Sequence, residues 1–169
     1  MFSIGNKVIH PCHGAGTITK IQTKCIGSAS HRYYVIHTVA VPREMLIMVP
    51  VSRAESMGLR MIGDKAVLRN TLESCSQVPD MDDVETDYRA RQAAVRDQLK
   101  SGSFQTVTSI VRMYGFLDKR KRLGMTDRQM FDSGKELLAG ELALACEIAF
   151  DEAMSEINDR LQEMVIPEA

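Results

Sequence analysis

Tryptophan is absent from these 169 residues, and aromatic content is only 5%. That limits any function that depends on a large flat side chain. The four cysteines (Cys12, Cys25, Cys75, Cys146) show no framework spacing and no CxxC, so neither a disulfide scaffold nor a zinc ribbon is expected. The opening Met1-Phe2-Ser3-Ile4-Gly5 is not a secretory signal, and the thiols read as cytosolic. No apolar run approaches the roughly 20 residues of a membrane helix, so no membrane partner is expected. There is no nucleophile elbow, Ser-x-x-Lys, HExxH, Walker motif or dinucleotide fingerprint, and nothing singles out a catalytic pair among 22 acidic residues. An enzyme is therefore not expected. The formal net charge is only −1. The whole molecule is not drawn strongly to polyanions, and nucleic-acid contact would need a local patch or delivery by a partner.

What is present divides in two. Residues 1–52 alternate apolar and polar positions in short runs split by Gly and Pro, and they hold five cations against one anion. Residues 53–169 switch to helical spacing and hold 16 cations against 21 anions. A basic β module on an acidic helical one points to two surfaces for two partners rather than one active site. In the first part, Val8-Ile9, Thr17–Ile26, Tyr33–Val39 and Met45–Val49 read as strands. Gly5-Asn6 and Gly27–Ser30 read as turns, Pro11–Gly16 as a loop, and Pro42-Arg43 as a break. Four or five short strands in about fifty residues imply a small Tudor-like or SH3-like barrel.

In the second part, Ser52-Arg53-Ala54-Glu55 and Thr126-x-x-Gln129 have the form of capping boxes. Helices are expected after Ser52, from Asp64 to about Ser74, and from Asp87 to Lys100. A further helix carries Phe104, Val107, Val111 and Tyr114. A long stretch from Thr126 carries Met130, Leu138 and Leu142. The fold class is thus α+β: the barrel at 1–52, then a compact all-helical domain at 53–169.

Several clusters invite chemistry. His10, Cys12, His13, Cys25, His31 and His37 are zinc-ligand types, but their spacing matches no finger, and loop and sheet-face positions are the plainer reading. Neither a metal nor a cofactor is expected. Gly14-Ala15-Gly16 lacks the helix and the Lys-Ser/Thr pair of a phosphate loop and reads as a tight turn. Lys119-Arg120-Lys121-Arg122 is either a solvated helix end that favours the macrodipole or a phosphate contact. Tyr88 either heads an apolar stripe with Gln92, Val95 and Leu99 or stands at a surface corner, flanked by Arg89 and Arg91.

The order of these pieces resembles the CarD/CdnL family of bacterial transcription regulators. Phe2-Ser3-Ile4-Gly5-Asn6-Lys7-Val8-Ile9-His10-Pro11-Cys12-His13-Gly14-Ala15-Gly16 is similar to that family's opening, F-x-x-G-D-x-V-V-Y-P-x-H-G-x-G. Met48-Val49-Pro50 resembles the end of its first domain, Leu99-Lys100-Ser101-Gly102 with Val111-Arg112 its middle, and Gly140-Glu141-Leu142-Ala143-Leu144-Ala145 its long C-terminal helix.

The resemblance implies a cytoplasmic protein, brought to the nucleoid by polymerase. Its Tudor-like domain, a module shared with transcription-repair coupling factor, docks on the RNA polymerase β subunit. Its helical domain touches promoter DNA at the upstream edge of the −10 element and stabilises the open complex. By this resemblance Lys24, Ile47, Met48 and Pro50 contact polymerase, and Tyr88, Arg89 and Arg91 contact DNA. Tyr88 stands where the family places a Trp wedge, and the acidic run Asp82–Asp87 precedes it. DNA affinity without polymerase is expected to be weak. The alternative is a polymerase- or protein-binding adaptor whose helical domain has lost DNA contact. An edge strand of the barrel would also support a strand-exchanged homodimer.

Overall fold

The computed structural model describes residues 1–39 and 44–168, with Ser101 as backbone only; the expected break at Pro42-Arg43 lies outside the described residues. Five strands form one antiparallel sheet in the order β4-β3-β2-β1-β5: β1 Lys7–His10, β2 Gly14–Ile26, β3 Ala29–Thr38, β4 Leu46–Pro50 and β5 Arg60–Met61. The sheet bends round a core of Val8, Ile18, Tyr34, Ile36, Val49, Ala54 and Leu59. The β2–β3 hairpin turns at Gly27-Ser28, where Gly27 takes φ +63°.

Three expectations change here. Gly14–Gly16 is not a loop but the first stretch of β2, paired with β1. Gly16 is needed for close approach: a Cβ there would stand 2.6 Å from Ile36 Cγ2 and 2.8 Å from the His37 carbonyl oxygen. The Ser52 capping box does not form. A single 3-10 turn, Val51–Arg53, makes no side-chain cap and instead turns Ala54 and Leu59 into the sheet core. The chain then returns as β5 beside β1. The sheet module therefore runs past residue 52, through Met61.

Five helices follow: α1 Lys65–Leu72, α2 Tyr88–Ser101, α3 Phe104–Arg120, α4 Met125–Cys146 and α5 Phe150–Glu163. Asp64, Asp87 and Ser103 cap α1, α2 and α3 by accepting hydrogen bonds from first-turn N–H groups. The second expected box also fails. Gly124 occupies the N-cap position of α4, so Thr126 lies inside the first turn. The long C-terminal stretch breaks at Glu147, whose φ of 55° ends α4 and starts the turn into α5. The main core joins α1, α3, α4 and α5 through Leu72, Val111, Tyr114, Leu138, Leu142 and Ile157. A smaller cluster of Val84, Phe116 and Met164 ties down the 77–87 segment and the C-terminus. Cys75 is fully buried in the main core, and burial pushes its thiol up to about 12. The chain is α+β, a Tudor-like sheet module followed by a helical domain.

Candidate interaction surfaces

Residues paired across an antiparallel ladder project from the same face. The register Lys20↔Val35↔Met48, Gln22↔Tyr33↔Pro50, Lys24↔His31 and His37↔Leu46 therefore builds one outer face. It presents Tyr33, Met48, Pro50 and the 68%-exposed Leu46 as an apolar strip. Lys20, Lys24 and two histidines frame it. Three of the four residues expected at the polymerase contact, Lys24, Met48 and Pro50, come together on this face. Ile47 does not. It pairs with Ile36, itself paired with Ile18, on the opposite face and packs against the sheet core. Leu46 was missed by sequence reasoning, although it alternates with Met48 and Pro50. β4 is also an end strand of the sheet, and its outer edge pairs with no other strand among the described residues.

The second surface is the N-terminal corner of α2. Asp87 accepts from Arg89 N–H and Ala90 N–H, both at 2.9 Å. That cap fixes where the helix starts and sends Tyr88 outward at its first position. Tyr88 is 55% exposed, so it does not belong to the apolar stripe. The Arg89 guanidinium lies 5.7 Å from the Tyr88 ring centroid, and its Nε donates to the Tyr88 hydroxyl at 3.2 Å. The two form one exposed aromatic and cationic unit. Part of the acidic run is occupied locally: Glu85 accepts from Asp87 N–H, and Asp87 itself caps α2.

Arg91 corrects the expectation that it faces DNA. It is 8% exposed, and its Nη2 donates to Asp127 Oδ2 at 2.6 Å while Nη1 donates to the Glu85 carbonyl at 2.9 Å. Tyr114 O–H and Gln92 Nε2 donate to the other carboxylate oxygen. Burial opposes the Arg91 charge, but the hydrogen bond and charge of Asp127 outweigh it and the net shift is upward. Burial would likewise raise Asp127. Arg91, Gln92 and Tyr114 outweigh that and hold its carboxyl below the ordinary value. Gln92, whose place in an apolar stripe was awkward, thereby gains its partner.

The basic run at the end of α3 divides. Lys119 Nζ donates to the Gln162 and Met164 carbonyls at the C-terminal end of α5, and Arg120 lies over Phe116 at 5.6 Å. Lys121 and Arg122 remain exposed. His10 and His13 stack with centroids 4.8 Å apart, and His10 Nδ1 accepts from Cys12 N–H. Burial and His13 lower the His10 value. Among the described residues, no three His, Cys, Asp or Glu side chains come together to hold a metal ion, and no helix is long and apolar enough to cross a membrane.

Residues 2–63 match the CarD-like/TRCF RID domain, and residues 77–158 match the CarD C-terminal domain. A Bacillus subtilis (strain 168) protein named "Putative transcription factor YdeB" is 29% identical over 148 residues, 84% of this chain and 90% of that one. With family models matched over both the sheet module and the helical body, and a relative named as a transcription factor, the molecule is a non-enzymatic transcription regulator. The chain belongs to the CarD family.

Proposed function

We propose that the outer face of β2, β3 and β4 docks on the RNA polymerase β subunit while the α2 corner holds promoter DNA at the upstream edge of the melted region. The protein thereby prolongs the open complex, in the cytoplasm and on polymerase rather than free on the chromosome. Lys24, Met48 and Pro50 are the docking residues, with Leu46 beside them. Ile47 supports them from beneath. Tyr88 and Arg89 are the DNA-facing residues, and Arg91 holds them in place.

The observation that carries this reading is the exposure of Tyr88. An aromatic ring set at a helix corner, outside the core and beside an Arg, suits a wedge against a base step with a cation for the neighbouring phosphate. Tyr88→Ala should leave thermal stability nearly unchanged and shorten open-complex lifetime. Tyr88→Trp should preserve or lengthen it. A lifetime untouched by Tyr88→Ala defeats the DNA half. A second reading, a polymerase-bound adaptor without DNA contact, is favoured by the internal commitment of Arg91 and by the acids beside Tyr88. Under that reading, capture of polymerase is the same with and without promoter DNA.

A further inference from the structure

Helix α4 packs against both the sheet and every other α-helix among the described residues. It is 22 residues long, about 33 Å. Near its end, Glu141 is 2% exposed in the seam with the sheet. Its two carboxylate oxygens accept from Arg60 Nη1 and Nη2, both at 2.8 Å, and Oε1 also accepts from Gly63 N–H at 3.0 Å. Arg60 lies in β5. One turn further on, Lys7 Nζ of β1 donates to the Leu144 carbonyl at 2.9 Å. Immediately before Glu141, Gly140 lies against the sheet, where an added Cβ would stand 3.3 Å from Ala15 Cβ. At the other end, Asp127 is 7% exposed and holds Arg91, Gln92 and Tyr114. Arg91 is three residues from Tyr88. Asp127 and Glu141 are fourteen residues apart, nearly four turns and about 21 Å, so they project from almost the same side of the helix.

Two buried carboxylates on one helix, each meeting an Arg of a different element, are more than packing requires. An apolar pair of similar volume would hold these seams at no desolvation cost, whereas a bidentate Arg–carboxylate pair fixes direction as well as distance.

We infer that α4 is a rigid strut: the Arg60–Glu141 pair couples its distal end to the docking sheet and the Arg91–Asp127 pair couples its proximal end to the Tyr88 corner, which makes Glu141 and Asp127 positioning residues for DNA contact. This rests on the open-complex reading above. It assigns to residues remote from both partners the task of holding the two contacts at a set spacing. A protein anchored at one site gains at the second only when the geometry is already correct.

The double variant Arg60→Met/Glu141→Leu removes the distal coupling without leaving a buried charge. It should melt as cooperatively as the wild type and bind polymerase with unchanged affinity. It should lose about five-fold or more of the open-complex lifetime that the wild type adds. A second readout needs neither polymerase nor DNA. Spin labels on Cys25 and on Ala93→Cys, with Cys12 and Cys146 replaced by Ser, report the spacing of β2 and α2. The distance distribution should be narrow in the otherwise wild-type chain and broad in the double variant. A distribution that stays narrow overturns the inference, as does a full lifetime effect in the double variant. If the wild type adds no lifetime, the function proposal fails, and the spin-label distances still decide the strut. Should the double variant not fold, Glu141→Gln keeps the shape and the Gly63 contact while removing the charge, and the same distances are read on it.

Discussion

Arg91 and Asp127 show how a charge that sequence spacing assigns to solvent can be spent inside. Both side chains are 9% exposed, and the pair is made at 2.6 Å with further donors on the carboxylate. Removing one partner leaves the other charged and buried, which typically costs about 3–5 kcal/mol. Arg91→Ala should therefore destabilise the helical domain by that order in urea unfolding. The pH dependence follows from Asp127. Its folded value lies below the ordinary 3.8, so the folded state binds the proton less readily than the unfolded chain. The resulting stability is fully present above the unfolded value and is lost as pH falls through the depressed folded one. Unfolding free energy should decline from about pH 4 downward in the wild type. Asp127→Asn should be less stable at neutral pH and show a shallower acid decline. An equally steep decline in Asp127→Asn would place the responsible carboxylate elsewhere.

At the scale of elements, what could be read from sequence depended on how local the deciding contact is. Helices α1, α2 and α3 start at Asp64, Asp87 and Ser103 because their caps are made to residues two or three positions on. Lys24 and Met48, which the family resemblance implied as contacts, fall on one face of the sheet, while Ile47 falls on the other. The Ser52 box failed for a non-local reason, since Val51, Ala54 and Leu59 pack in the sheet core, whereas the Thr126 box failed locally, since Gly124 takes the cap position two residues ahead. Arg91 could not be placed because its partner lies 36 residues away, beyond any periodicity. The Gly14–Gly16 stretch was misjudged because its glycines suggested a turn, whereas Gly16 serves a close crossing of β2 over β3. Gly16→Val should cost about 1–3 kcal/mol or more, because the obstructing His37 oxygen is backbone and cannot rotate away. Hydrogen exchange should then show faster exchange of the Ile36–Thr38 amides in particular. A variant with wild-type stability would mean that β2 and β3 separate easily there.

For the whole molecule, the distribution of charge decides how two weak contacts add up. The net charge of −1 gives the free protein no general pull toward duplex DNA. The basic residues Lys20, Lys24 and Arg32 lie on the β2–β3 hairpin, while most acids lie on the helical body. On the proposed reading, encounter with an acidic protein surface is steered to the sheet, and the DNA contact proposed for Tyr88 and Arg89 would follow as an intramolecular event at high effective concentration. Few phosphates are neutralised in that second step, so the counterion contribution is small. Binding of the free protein to random duplex should be weak, with a shallow salt slope. Binding to a polymerase–promoter complex should be far tighter, and its salt dependence should reside in the protein–protein contact. Lys24→Glu is the discriminating variant, because it lies on the sheet and away from the α2 corner. It should weaken capture by polymerase by about 1–3 kcal/mol, the range for a lost charge-assisted contact. It should also flatten the salt dependence of that capture and leave binding to naked duplex unchanged. Tight, steeply salt-dependent binding of the free wild-type protein to random duplex would contradict this division. So would a Lys24→Glu variant that lost DNA affinity while keeping its grip on polymerase.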